Sequence, residues 1–517
     1  MNINSSFKLS AIGIKEMLTD FFKNPGEGLY QRTVRSGIWV FSLRIFERAL
    51  SVVKLVVLAR ILVPNDFGLM GIALLAMTCL ETSSQTGLQQ ALIQKKEGTE
   101  KYLDVAWTFL LIRNLAIFAL LFIGAPYIAK FFDAPKVTPI MRIIGIFLLF
   151  GGPSGIGGFA NIGVLYFQKE LEFNKQFIYH LTGTLADFIV SVTAAIVLKS
   201  VWALVFGLLA GNIARFFAGY KIHPYRPRLN FDFDRAHELF RFGRWVLASN
   251  ILVFLVTQGD NIVIGKLLGA AFLGFYQMAY RFSNAPAREI THVISQVTFP
   301  AYSKLQDNSE GLRQAYLKTL QLTAFISIPL AGGIFILAPE FTRIFLGDKW
   351  IPMVPAMRVL ALVGLIGSIQ ATTGPIFRAV GRPNIDTKWQ VVRLMVLVIL
   401  IYPLCSRWGI LGTSTAVLFS ILTSTIGFGA MVIKITKCRI KEFGKLIAFP
   451  LIAGLFMVAV IFVLKGVVDT VGLLVFVLLV LLGFLVYVGF TYILDKFLHY
   501  GIWLLIKRSL NSFRGVQ

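Results

Sequence analysis

Cysteine is scarce and scattered: Cys79, Cys405 and Cys438 are the only three among 517 residues, which excludes a disulfide framework and a thiolate metal centre. The five histidines, His180, His223, His237, His292 and His499, have no ligand spacing, so no metal and no other cofactor is expected. No GxxxxGK[ST] motif occurs, which argues against an ATP-driven pump within this chain. The glycine cluster GGPSGIGGF, Gly151 to Phe159, lacks the preceding strand and the full GxGxxG register of a dinucleotide loop. It reads as a bend or close contact in a membrane helix. Charge is thin too, at 15% of residues, and acidic groups are outnumbered 26 to 50 by Lys and Arg.

What is abundant is apolar: 56% of residues are hydrophobic and the mean hydropathy is +0.74, far from soluble composition. About fourteen runs have the length of roughly 20 residues that a helix needs to cross a bilayer. They lie near 37–59, 67–88, 104–125, 139–167, 176–198, 201–220, 243–265, 271–299, 317–338, 354–378, 386–403, 408–433, 446–464 and 470–494. The expected class is an all-α polytopic membrane protein. No cleavable-signal pattern precedes a span, so the first is expected to remain as a signal anchor. Upstream, Phe7, Ala11, Ile14, Leu18, Phe21 and Phe22 recur at helical spacing among Lys8, Lys15 and Lys23, which fits an interfacial amphipathic helix or a disordered tail.

The net charge of +24 follows the membrane. With the N-terminus inside, alternate loops and both termini hold roughly 31 Lys and Arg against roughly 9 on the other side, as the positive-inside rule expects. Both termini are therefore expected in the cytoplasm. Trp39, Trp107, Trp202, Trp245, Trp350, Trp389 and Trp408 fall near span ends, where indole favours the interface. Loop charge explains the basic excess without nucleic acid as a partner.

The segment Gly37 to Ala73 aligns without a gap onto Gly243 to Ala279, a shift of 206 residues. Gly37/Gly243, Trp39/Trp245, Val40/Val246, Ile45/Ile251, Val57/Val263, Leu62/Leu268, Gly68/Gly274 and Ala73/Ala279 are identical, and Arg60/Lys266 is conservative. About two identities are expected by chance in such a window. Six spans fit within the shift, so the copies are parallel and related by an axis along the membrane normal. This predicts an N-terminal segment (1–30), two six-helix lobes (31–235 and 236–436) and two extra spans with a tail (437–517).

The stretch LARILVPNDFGLMGIA, Leu58 to Ala73, resembles the LAR-x-L-x-P-x-D-[FY]-G signature of the Wzx-like polysaccharide-transport family, within the multidrug/oligosaccharidyl-lipid/polysaccharide exporter superfamily. Arg60, Pro64, Asp66, Phe67 and Gly68 match it. The resemblance implies two six-helix bundles around a central cavity, in a bacterial cytoplasmic (inner) membrane. It also implies export of lipid-diphosphate-linked saccharide units by alternating access, with polysaccharide polymerase and export proteins as partners. The motif itself reads either as a tight hairpin, with Pro64 and Asp66 starting the second helix, or as a substrate contact.

Residues 42–62 carry Arg44, Glu47, Arg48 and Lys54 within a span. A cation at the bilayer centre costs roughly 2.5–3.5 kcal/mol, so this stripe must face protein or water. Gln277, Arg281, Asn284, Arg288 and His292 form a second stripe on the eighth span, with Glu289 beside Arg288 as a partial counter-charge. Arg113 and Arg215 extend the basic set, whereas Arg142, Arg358 and Arg393 lie nearer span ends. The candidate substrate-binding set is Arg44, Arg48, Arg113, Arg215, Arg281 and Arg288, because forked guanidinium donors suit a diphosphate. About a third of the intramembrane cations are expected in internal ion pairs, such as Glu47 with Arg44 or Arg48. Asp187, mid-span, is a candidate for coupling to H⁺ or Na⁺, or else a structural contact to a neighbouring helix. The repeat places Lys54 in register with Asp260. The two either meet as an outer gate or pair within their own lobes, Asp260 with neighbours such as Asn261.

Three functions fit the scaffold to different degrees. A lipid-linked oligosaccharide flippase needs a polar cavity and cations. A drug exporter commonly needs acids for cationic drugs, which the basic stripes disfavour. A membrane polymerase or ligase needs catalytic groups on a sizeable outer loop, and the outer loops hold neither a Ser/His/Asp set nor paired carboxylates. The chain reads as a non-enzymatic flippase.

Overall fold

The computed structural model describes residues 46–85, 100–152, 158–170, 172–232, 243–467, 472–498 and 500–504. The upstream amphipathic segment, Arg44 and the start of the first span lie outside the described residues. Among the described residues every regular element is helical. Short helical turns aside, in chain order the helices are α1 (46–61), α2 (Pro64–Thr82), α3 (Glu100–Phe131), α4 (Val137–Leu149), α5 (Phe173–Leu198) and α6 (Trp202–Ile222). There follow α7 (Gly243–Leu267), α8 (Ala270–Lys304), α9 (Ser309–Phe341), α10 (Val354–Ala371), α11 (Asn384–Thr436), α12 (Ile440–Val467) and α13 (Leu473–Leu498).

Among the described residues eight helices are long and apolar enough to cross a membrane by length and composition alone. The polar helix α8 is not among them. Helix α11 runs for 53 residues and turns at Gly409, whose φ of 59° and ψ of −135° are not helical. A side chain there would be strained in the left-handed region, so glycine permits two crossings in place of one. Span four is interrupted as well. Helix α4 ends at Leu149, Gly151 and Gly152 follow at positive φ, and the chain returns with the Phe159 amide donating to the Leu149 carbonyl at 2.7 Å. The glycine cluster is thus a turn, and residues 139–167 are not one helix. With α11 counted as two, the described helical segments correspond to the fourteen runs read from hydropathy.

Helices α2 to α6 are neighbours through α5 on α6, α3 on α4, and α4 on α2 and α6. In the second half α8 and α9 pack on α10, α7 and α10 pack on α11, and α12 joins α9 to α13. The halves meet where α2 crosses α8, with α7 alongside α2. A Cβ on Gly68 would collide with the carbonyl of Ala270, and one on Gly274 with the carbonyl of Pro64. These contacts are reciprocal under the 206-residue shift, which maps Pro64 to Ala270 and Gly68 to Gly274. Gly71 faces Gln277, its own equivalent. The local two-fold therefore passes between α2 and α8. The largest buried apolar cluster is built across it, with Leu55, Ala59, Ile72, Tyr276, Trp350 and Leu360 all fully or nearly fully buried.

Candidate functional site

The α1–α2 turn shows what the LARILVPNDFG stretch does. Pro64 occupies the first turn of α2, where its missing N–H is harmless. The Asp66 carboxylate accepts from the Val63 amide at 3.3 Å, closing the N-terminus of α2. Arg60 reaches across to the other half and donates through Nε to the Phe345 carbonyl at 2.9 Å, and also to the Ile344 carbonyl. Lys349 returns the contact by donating to the carbonyls of Arg60 (2.9 Å) and Leu62 (2.7 Å). Trp350 Nε1 donates to Ala59 O at 2.9 Å while its ring meets Phe67 edge-on. On the repeat-related side Lys266 pairs with Asp133 at 2.7 Å, tying α7 to the α3–α4 turn. Both halves are thus clasped at this turn end. Every matching residue of the signature is occupied by the hairpin and its contacts. Lys349 and Asp133 were not singled out by sequence, because each acts only through a partner in the other half.

Below the clasp, Lys54 on α1 pairs with Asp187 on α5 at 2.5 Å, and Ser191 Oγ donates to the same carboxylate at 3.0 Å. Gly207 and Gly211 let α6 approach Asp187 and Ser191 closely. Asp187 is therefore not an isolated carboxylate but a contact between helices. The Lys54–Asp260 gate is not formed, although the turn end is closed. Asp260 is buried in its own half, where it accepts from Tyr276 Oη at 2.6 Å and from the Asn261 amide at 2.8 Å. The α7–α8 hairpin folds Tyr276 back over Asp260. Arg393, which the sequence placed at a span end, lies near Asp260, Tyr276 and Tyr280 and supplies the local positive charge.

Between the halves the two stripes converge. Arg48 on α1 pairs with Glu289 on α8 at 2.5 Å. Glu289 thus neutralises Arg48 rather than Arg288, and of the two expected partners of Glu47, Arg48 pairs instead with α8, while Arg44 lies outside the described residues. The reason is geometric, since α1 and α8 face one another across the interface. Glu47 is half-buried on the same turn. Arg281 is exposed and feels the charges of Arg288, Arg48 and Asp187. Arg288 stands over the Tyr280 ring, 5.5 Å from its centroid. Arg48, Lys54, Arg281 and Arg288 thus stand with Asp187, Glu289 and Glu47, so cations outnumber acids among the described residues of this group.

Two candidates fall elsewhere. Arg113 donates to Ser84 Oγ at 3.0 Å and to the Glu81 carbonyl at 2.9 Å, pinning the end of α2 to α3. Arg215 lies against Gly183 on α5, near Tyr179 and His180. Beside the cationic group, α8, α9, α12 and α13 enclose an apolar groove of about 500 Å³ that includes Phe282, Pro286, Leu330, Met457 and Phe484. Helix α8 thus presents arginines to one space and Phe282 and Pro286 to the other.

At the end of the molecule away from the clasp, residues 223–232 run as an extended strap over α3. The Tyr225 hydroxyl donates to Asp104, the Arg228 amide to Asp104 Oδ1 at 3.0 Å and the Asn230 amide to Thr108 Oγ1 at 2.9 Å. Burial and the Asp104 carboxylate push the Tyr225 hydroxyl pKa up. Burial, helped by Lys175, pulls the His223 pKa down.

The sequence pattern of a family described as polysaccharide biosynthesis protein matches residues 57–355. Lipopolysaccharide biosynthesis protein WzxC of Escherichia coli (strain K12) is 27% identical over 373 residues, 72% of this chain and 74% of that protein. Succinoglycan biosynthesis transport protein ExoT of Rhizobium meliloti (strain 1021) is 27% identical over 345 residues, 66% of this chain and 68% of that one. In fold, the chain is similar to lipid II flippase MurJ in its inward closed conformation, with a TM-score of 0.72. That likeness covers 90% of this chain and 99% of MurJ at 17% identity. An inward-facing multidrug resistance MATE family transporter of the MOP superfamily gives 0.58 at 15% identity, over 76% and 95% of the two chains.

Proposed function

Since the chain belongs to the polysaccharide biosynthesis protein family, we propose that it is a flippase for lipid-diphosphate-linked oligosaccharide, carrying polysaccharide repeat units from the cytoplasmic to the outer leaflet. The observation that carries this reading is the convergence of Arg48, Arg281 and Arg288 from two halves of the molecule, where cations outnumber acids among the described residues. A diphosphate diester carries about two negative charges and matches forked guanidinium donors. The neighbouring apolar groove suits the lipid chain, because burying methylenes there is favourable at roughly 0.8 kcal/mol each. The relatives are named as biosynthesis and transport proteins, and the function is transport rather than catalysis.

In this reading the clasped turn end faces the outside, because the Lys- and Arg-rich loops lie at the other end. Both termini are then cytoplasmic in a bacterial inner membrane. The lobes 31–235 and 236–436 rock about the α2–α8 crossing, and α12 and α13 of the segment that follows them flank the tail groove. H⁺ or Na⁺ serves as coupling ion at Asp187, where either can compete with Lys54. The saccharide passes on to a polymerase and export proteins. A drug antiporter shares the fold, but the cationic surplus would repel the cationic drugs such carriers commonly take.

The test is transport of defined lipid-diphosphate saccharides in proteoliposomes. The wild type is expected to move them and an Arg281→Gln variant to fail at equal abundance. Transport of cationic dyes with no movement of lipid-linked sugar would reverse the choice.

A further inference from the structure

Arg48 is the one arginine of the described central group that makes an ion pair among the described residues, and its partner comes from the other half. Arg281 and Arg288 make none there, and Arg281 feels both other guanidinium groups as like charges. Three cations contributed by two bodies repel whenever the cavity is empty, and that repulsion opposes closure. An alternating-access carrier nevertheless has to close twice in each cycle, once loaded and once empty.

We propose that Glu289 is an exchangeable counter-ion that substitutes for the substrate diphosphate in the empty carrier. Paired with Arg48 it removes enough repulsion for the two lobes to approach without cargo. When a lipid diphosphate arrives, its oxygens take over Arg48 and bridge it to Arg281 and Arg288, and Glu289 is released to water. This assignment rests on the flippase reading above.

The exposure of the pair fits exchange. The Arg48 and Glu289 side chains are 51% and 58% accessible, so both partners can be solvated separately, whereas Lys54 and Asp187 are 23% and 22% accessible and are shielded from a head group as bulky as a diphosphate. An exposed pair contributes little net energy and is easily replaced by a better ligand. A diphosphate offers more acceptor oxygens and charge than one carboxylate, so it displaces Glu289 where a monophosphate does so less well. Glu289 thereby acts as a specificity-determining group, setting the charge a head group needs in order to enter.

Glu289→Gln and Glu289→Asp variants test this in nanodiscs. A Ser83→Cys and Ser249→Cys pair, placed in a background with native cysteines replaced, carries spin labels across the lobes near the Gln85–Asn250 contact. Without ligand, the wild type and Glu289→Asp should show a short inter-lobe distance, and Glu289→Gln a population shifted to longer distances. Geranyl diphosphate should restore the short distance in Glu289→Gln and bind it roughly three- to tenfold tighter than wild type, since a competing carboxylate is gone. Geranyl monophosphate should do both less well. If Glu289→Gln matches wild type in both distance and affinity, the counter-ion role is overturned. A merely structural role predicts that Glu289→Gln stays open even with geranyl diphosphate bound, which would also overturn it. Failure of the wild type to bind geranyl diphosphate, with the distance shift intact, would instead count against the diphosphate substrate.

Discussion

Gly68 and Gly274 stand 206 residues apart at equivalent places in the repeat, and each abuts the backbone just ahead of the other: Gly68 the carbonyl of Ala270, Gly274 that of Pro64. The crossing of α2 and α8 is consequently glycine-thin on both sides. In the proposed transport cycle it serves as the pivot between the two halves.

A methyl group at either place has nowhere to go, because the obstruction is backbone rather than a flexible side chain. Gly68→Ala and Gly274→Ala are each expected to destabilise the closed turn end by about 1–3 kcal/mol, the usual cost of overpacking. Disulfide trapping between cysteines placed at 266 and 133, which now form an ion pair at 2.7 Å, should fall in both variants. Undiminished trapping would show that the crossing is not a pivot.

Neutralising Arg48, Arg281 or Arg288 to Gln should lower transport about tenfold or more, the loss of one charge-assisted contact to a phosphate, with protein still in the membrane. Arg113→Gln should act through the α2–α3 contact instead and lower abundance. Head-group capture by the wild type should slow as salt rises from low to physiological strength, because ions screen steering. Equal activity of the three cavity variants and wild type at matched abundance would remove the cationic group from the mechanism.

Lys54 and Asp187 are mostly shielded from water, so removing either leaves an uncompensated charge. Lys54→Gln and Asp187→Asn are each expected to lower the Tm, at a cost of roughly 1–3 kcal/mol. The exchanged pair Lys54→Asp with Asp187→Lys should recover most of it. Cysteines at 54 and 260 should not crosslink in the outward-closed form, since Asp260 is held by Tyr276. A crosslink there would reinstate a gate between them.

The strap at 223–232 should loosen in acid. The Tyr225 amide donates to His223 Nδ1 at 3.2 Å, and burial lowers the His223 pKa in the docked state. The undocked imidazole titrates near 6.5 and binds the proton more readily. Docking stability is therefore full above about pH 6.5 and is lost as pH falls toward and through the lowered value. Protection of the 224–232 amides, taken relative to their intrinsic exchange rates, should fall between pH 7.5 and 5.5, and a His223→Asn variant should show no such dependence.

Much of this molecule was legible in one dimension because a bilayer constrains it so tightly. Backbone polar groups have no partner in hydrocarbon, so each crossing must be a helix of nearly fixed length. Hydropathy therefore located the spans, even the two that share α11, and the gapless match from Gly37 to Ala73 exposed the repeat. The interiority of Arg48, Arg281 and Arg288 followed from the cost of a cation in lipid.

Partner choice was not legible. Sequence register set Lys54 opposite Asp260, yet a side chain pairs with whatever lies within about 4 Å, and that depends on helix rotation and tilt. Close packing of α6 on α5 through Gly207 and Gly211 fixed Asp187, which Lys54 reaches from α1. The α7–α8 hairpin gave Asp260 to Tyr276. The approach of α1 to α8 brought Glu289 to Arg48. Which segments cross the membrane and which charges turn inward could be read from one dimension, because those are transfer energies of single residues and segments. Which charge meets which emerged with the packed helices, because that depends on distances between helices that no single segment encodes.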